Sequence, residues 1–170
     1  MIRKLLDALY DAAAALAAVC MVGLLAMVLL SIASRELGFH VRGTDAYAGY
    51  LMAGAGFLAL AHTLKRGEHI RVTLLLGAVS GTTRRALEIW SLGLAALLAL
   101  LFAFYSVRLA WQSLQFHDIS TGNDATPLWI PQLAMAVGTL VFAIAFIDEW
   151  VLEVTGRRRA LESSESLRNE

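Results

Sequence analysis

The chain has 170 residues, and its fourteen Lys and Arg balance its fourteen Asp and Glu. Hydrophobic residues make up 58% and charged residues 16%, against roughly 45–50% and about 25% in soluble domains. With a mean hydropathy of +0.64, this composition argues against a soluble globular domain, a disordered chain and a nucleic-acid binder. A single cysteine, Cys20, excludes an intramolecular disulfide and any CxxC redox or zinc motif.

The charges are absent from four windows. Residues 12–34 and 125–147 are 23 residues each, and 46–64 and 89–107 are 19 each. About 20 apolar residues cross a hydrocarbon core of ~30 Å. Lipid offers the backbone no hydrogen bonds, so each crossing is expected to be a helix. The first window is longer than the 7–15 residues of a signal-peptide core, so it is expected to remain as a helix. The fold class predicted is an all-α integral membrane protein. Residues 1–155 form one four-helix domain, with helices at about 12–34, 46–64, 89–107 and 128–147, and residues 156–170 form a polar tail.

In chain order, residues 1–11 read as an amphipathic lead-in to the first helix. Residues 35–45, with Gly38 and Gly43, read as an outer loop. Asp45 opens the second helix, where a helix N-terminus favours a negative charge; a contact with an outer-side partner is the functional alternative. Ala46, Gly49, Ala53 and Gly56 fall on one narrow face of that helix and predict close helix packing. Residues 65–88 read as the longest inner loop. Its apolar Ile70, Val72, Leu74, Leu75, Leu76 and Val79 are flanked by basic residues, as in an interfacial amphipathic segment.

Ser80, Gly81 and Thr82 punctuate the start of the third helix, which carries a small-residue line at Gly93, Ala96, Ala99 and Ala103. Residues 108–124 read as the second outer loop. Pro127 and Pro131 sit at the mouth of the fourth helix, where a missing N–H costs least, and Gly156 is expected to end it. Trp90 and Trp111 bracket the third window, and Trp129 and Trp150 the fourth. Each pair is 21 residues apart, about 31 Å along a helix, which matches membrane-interface anchors at two belts. With four crossings, eleven Lys and Arg lie on the side of the termini and three on the other. The positive-inside rule then places both termini in the cytoplasm.

No Asp, Glu, Lys or Arg lies inside a window, whereas ion and proton pathways usually need such groups. The small multidrug exporters depend on a membrane-embedded Glu that is missing here. His40 and His117 fall in outer loops, His62 at a helix end and His69 in the inner loop. They make no matched intramembrane pair for haem and no metal-ligand spacing. GxSxG, HExxH, Walker A and GxGxxG motifs are absent, so no enzyme is predicted. Cys20 reads as a small packing residue. Asp148, Glu149 and Glu153 oppose the dipole at the end of the fourth helix; pairing with Arg84, Arg85 or Arg157–Arg159 and plain solvation are equal alternatives.

Two stretches carry a resemblance. Residues 59–76, ALAHTLKRGEHIRVTLLL, hold a basic segment followed by His69, Ile70 and Val72 in a His-Ile-x-Val pattern. Residues 126–138, TPLWIPQLAMAVG, lead into the last helix with Pro-x-Trp-x-Pro. Over roughly residues 10–155 the chain resembles the small membrane subunit, the DctQ-like component, of tripartite ATP-independent periplasmic (TRAP) transporters. Asp45 fills the acidic place that opens the family's second helix, though no Trp precedes it.

The resemblance implies a nonenzymatic scaffold subunit in the bacterial inner membrane. Its partners would be a large TRAP membrane subunit, which carries the substrate path, the sodium sites and an elevator-type motion, and a periplasmic substrate-binding protein that delivers an organic acid. Beyond the lipid bilayer no other partner is implied, no nucleic acid is expected, and the chain needs no cofactor of its own. Asp45, His69 and Arg71 are then candidate interface or interfacial residues, and Pro131 shapes the last helix. The rival classes are a membrane anchor subunit of a respiratory complex, binding haem or quinone, and a homo-oligomeric channel.

Overall fold

The computed structural model describes residues 2–39, 41–66 and 81–156. Helix α1 spans Ile2–Glu36, α2 Thr44–Lys65, α3 Gly81–Phe116 and α4 Trp129–Val154. The interfacial segment expected within 65–88 falls largely outside the described residues, as do His69, Arg71, His40 and the tail beyond Gly156. Among the described residues, α1, α3 and α4 are long and apolar enough to cross a membrane; α2 is not among them. Its Tyr, His and Thr residues and three glycines dilute its hydropathy.

The helices overrun the uncharged windows. At 1.5 Å per residue, α1 and α3 are about 52 Å and 54 Å long, well beyond a ~30 Å hydrocarbon core. Residues 2–11 are therefore the first turns of α1 rather than a separate lead-in. Residues 81–88, expected in the inner loop, are the first turns of α3. Residues 108–116, expected in the second outer loop, are its last turns. No Gly or Pro interrupts those stretches beyond Gly81, so the helix continues past the point where charge returns. The uncharged windows therefore do not give helix length.

Backbone geometry sets the true ends. Gly38 (φ 72°) closes α1: the Phe39 N–H donates to the Ser34 carbonyl (3.0 Å), as in a Schellman turn. His117 (φ 54°) plays the same part for α3, with the Asp118 N–H on the Ser113 carbonyl (3.0 Å). Gly156 (φ 71°) closes α4, as its position in the sequence predicts.

Contacts arrange the helices in a row: α1 packs on α2, α2 on α4 and α4 on α3, with α1 also touching α4. Two sequential hairpins, α1–α2 and α3–α4, are thus joined through α2 and α4. The α3–α4 seam uses the predicted line. Ala96, Ala99, Ala103, Ser106, Ala110 and Ser113 are buried at alternating spacings of three and four, and Ala143 packs against Ala99 and Ala103. Gly93 makes room for the Trp150 indole, whose Nε1 donates to the Ile89 carbonyl (3.2 Å). Van der Waals packing drives helix association in lipid, so small residues at the seam let backbones approach.

On α2 the predicted packing face is wrong. Gly49 and Gly56 face open space and Ala53 is exposed. The buried face is Gly54, Ala55, Leu58, Ala61 and Leu64. Small residues run round this helix, and the two partners select the side with Leu58 and Leu64. Cys20 behaves as a packing residue: its Sγ would lie 3.2 Å from a Cβ at Gly54.

Among the described glycines, the one most tightly faced by another helix's backbone joins α2 to α4. A Cβ at Gly138 would meet the Phe57 carbonyl carbon and oxygen at 2.5 Å. Backbone cannot yield as a side chain tip does, so Gly138→Ala must push the two hairpins apart. Overpacking of this kind costs about 1–3 kcal/mol. Thermal unfolding of the purified chain in detergent should show Gly138→Ala melting below the parent, and Gly49→Ala, which meets open space, melting with it.

Candidate functional site

Polar contacts between elements concentrate at the two ends of the α2–α4 joint. At the end that carries Asp45, residues 117–128 fold into a tight loop. The Ser120 N–H donates to the Thr126 carbonyl (2.8 Å) and the Leu128 N–H to the Asp118 carbonyl (3.0 Å). Asp124 sits inside this loop. It accepts hydrogen bonds from the Ser120 hydroxyl (2.8 Å), the Tyr50 hydroxyl (3.0 Å) and the Thr126 N–H (3.4 Å). Thr126 in turn donates to the Tyr47 hydroxyl (3.3 Å). The loop is thereby pinned to the first turns of α2. Gly43 is required at the corner, because φ is 79° and a Cβ there would lie 2.8 Å from the Asp124 Cβ.

These donors favour the charged form of Asp124. Hydrogen bonding from Thr126 contributes most, against a smaller opposing effect of desolvation, with Ser120 and Tyr50 adding to the same side. The carboxyl pKa falls from 3.8 to about 2.

At the opposite end, Lys65 closes α2. Its ammonium pairs with Asp148 and donates to Glu149 Oε1 (2.9 Å), both on α4. These three side chains are only 12–14% exposed. Arg3 of α1 reaches the other Asp148 oxygen (3.7 Å). The Lys65 ammonium also stands 5.4 Å from the centre of the Tyr10 ring of α1. His62 Nδ1 lies 3.6 Å from Asp11, and Arg85 Nη2 donates to the Val154 carbonyl (3.2 Å) at the end of α4. Asp148 and Glu149 are therefore paired with Lys65 rather than solvated, and Glu149 and Glu153 are buried. Of the arginines offered as alternatives, Arg84 holds Glu88 (3.1 Å) one turn along α3, and Arg157–Arg159 lie outside the described residues.

The sequence candidates are distributed around this joint. Asp45 is exposed in the first turn of α2 and makes no capping bond; the N-cap is Gly43. It accepts the Ser31 hydroxyl of α1 at 3.4 Å. Pro131 lies in the first turn of α4, half-buried. Trp90, Trp111 and Trp150 are exposed and Trp129 half-buried. His69 and Arg71 lie outside the described residues. Sequence reasoning missed Asp124, Tyr47 and Tyr50, and counted Lys65 only as a topological charge. The available signal was depth: Lys65, Asp148 and Glu149 all border uncharged windows at the same end.

Long apolar helices braced by polar contacts at both ends define a helical membrane subunit. The particular family follows from comparison. The family described as "Tripartite ATP-independent periplasmic transporters, DctQ component" matches residues 24–156, and the chain belongs to it. It is thus the small membrane subunit of a TRAP transporter, a nonenzymatic transport component. The family implies a complex with a large subunit and a binding protein, and it gives the respiratory-anchor alternative no support. A comparison with curated proteins finds no match.

Asp124 makes the loop pH-dependent with a defined sign. Its pKa is depressed in the folded state, so its contribution is complete above about 4 and is lost as pH falls toward about 2. A spin label at Ile119→Cys, in a Cys20→Ala background, should stay immobilised at neutral pH and gain mobility only across that acid window. Asp124→Asn should already show the mobile spectrum at neutral pH. A label unchanged by both treatments would remove Asp124 from this role.

Proposed function

We propose that the chain is a scaffold subunit that supports the large membrane subunit during sodium-coupled uptake of an organic acid delivered by a periplasmic binding protein. The family match carries this reading. A row of helices whose joint is fixed at both ends suits a static support. The uncharged windows suit a subunit that forms no ion path, with sodium held by the large partner and no cofactor in this chain.

The proposed site is the bacterial inner membrane, with four crossings. Asp45 to Lys65 is 21 residues, about 30 Å end to end, so α2 has the length of a fourth span. Its place between α1 and α4 reduces the hydropathy it needs, because two of its sides face protein. The Lys and Arg asymmetry supports cytoplasmic termini, which puts Lys65 at the inner rim and Asp124 at the outer. Asp45, His69 and Arg71 are proposed as interface or interfacial residues, Pro131 as shaping the start of α4, and the four Trp as membrane-interface anchors.

Reconstitution tests this. Proteoliposomes holding the large subunit and this chain, given the binding protein, its ligand and an inward sodium gradient, should accumulate ligand. Omitting this chain should abolish accumulation, and this chain alone should pass no ion. Asp45→Ala or Arg71→Ala should lower uptake or the yield of complex. Full uptake without the chain would contradict the scaffold role, and ion flux through the chain alone would favour a channel.

A further inference from the structure

Lys65 is enclosed by the carboxylates of Asp148 and Glu149, and Arg84 holds Glu88. Arg108, which closes the third uncharged window, has no such answer. It is exposed, and it makes no ion pair, hydrogen bond or ring contact with any described residue. Its depth follows from the tryptophans. The Trp150 indole donates to the Ile89 carbonyl, so Trp90 and Trp150 share one level. Trp111 and Trp129 each lie 21 residues from that pair, at the other level. Arg108 is three residues before Trp111, about 4.5 Å inside this second belt.

The direction of Arg108 follows from the helix. Ala103, Ser106 and Ala110 line the buried seam with α4. At about 100° per residue, Arg108 lies about 140–160° round α3 from each of them. It therefore leaves the flank opposite the seam, where Leu101 and Phe104 before it and Trp111 after it are exposed. Every Cα–Cβ bond of a helix tilts toward the N-terminus. The Arg108 side chain thus starts toward the middle of the span, and Trp111 stands one turn beyond it on the way to the headgroups. A guanidinium cannot shed its charge, and it carries five N–H donors that hydrocarbon leaves without acceptors. We infer that Arg108 is the charged anchor of this flank, taking the carboxylate of an Asp or Glu carried inside a span of the large membrane subunit. A carboxylate matches the guanidinium fork with two parallel hydrogen bonds. A lipid phosphate is the other anion of a membrane, but it lies beyond Trp111, on the side from which the Cβ bond points away. The inference rests on the proposed role of the chain as a support for that partner, and it names the contact.

The tagged chain, coexpressed with the large subunit and purified in mild detergent, tests it. The parent and Arg108→Lys should retain the large subunit in constant ratio. Arg108→Leu should retain about tenfold less, and Arg108→Glu less still. The Arg108→Leu chain by itself should melt with the parent, because Arg108 touches nothing in its own fold. A benzoylphenylalanine photo-cross-linker in place of Phe104, one turn away on the same flank, should join the chain to one span of the large subunit. Exchanging the Asp or Glu beside that cross-link for Arg should restore retention by Arg108→Glu. Full retention by Arg108→Leu, a lowered melting point for that chain alone, or cross-links only to phospholipid or to a second copy of the chain would overturn the inference. So would a cross-linked span with no acid whose exchange rescues Arg108→Glu. A parent chain that retains no large subunit would instead overturn the scaffold reading, and this inference with it.

Discussion

The backbone contact between Gly138 and Phe57 is the constraint on which the remaining architecture depends. It brings α2 and α4 close enough for short polar contacts at both of their ends. At one end Tyr50 reaches Asp124 across 74 residues of sequence, and at the other Lys65 reaches Asp148 across 83. A bulkier residue at position 138 would lengthen both reaches at once. The middle of the joint is tight, and the hydroxyl of Thr139 buried there is satisfied within its own helix by the Met135 and Ala136 carbonyls, while the charged contacts lie at the two ends.

This arrangement suits a transporter subunit whose four apolar windows hold no Asp, Glu, Lys or Arg. The apolar surface of α1 and α3 is broad and outward-facing, while their seams with α2 and α4 are lined by small residues. A row of helices presents more flank to its surroundings than a closed bundle of the same helices. Such a shape suits a part whose work is to support and widen an assembly. The TRAP small-subunit family provides the assembly, and the pinned loop around Asp124 and the Lys65 cluster keep the row in register at its two rims.

Much of the fold was legible because charge is expensive in lipid. The uncharged windows located all four helices, and the Gly93, Ala96, Ala99 and Ala103 line found the α3–α4 seam. Most helix ends were not legible, because a helix continues past the uncharged window until the backbone is turned, as at Gly38 and His117; the end of α4 at Gly156 is the one its position predicts. The packing side of α2 was not legible either. Ala46, Gly49, Ala53 and Gly56 and the buried Gly54, Ala55 and Ala61 are equally small, and only the neighbours decide between them. Rim contacts were hidden for a third reason: each joins residues far apart in sequence, and a lone Asp124 or Lys65 reads as a solvated charge until its partner is placed. The family was readable from the degenerate motifs at 59–76 and 126–138 taken together.

The most direct test of the account is to purify the tagged chain from its native membrane in a mild detergent and identify what comes with it. The account predicts a large polytopic membrane subunit in constant ratio to this chain. Recovery with a flavoprotein or iron–sulfur subunit in its place would contradict it.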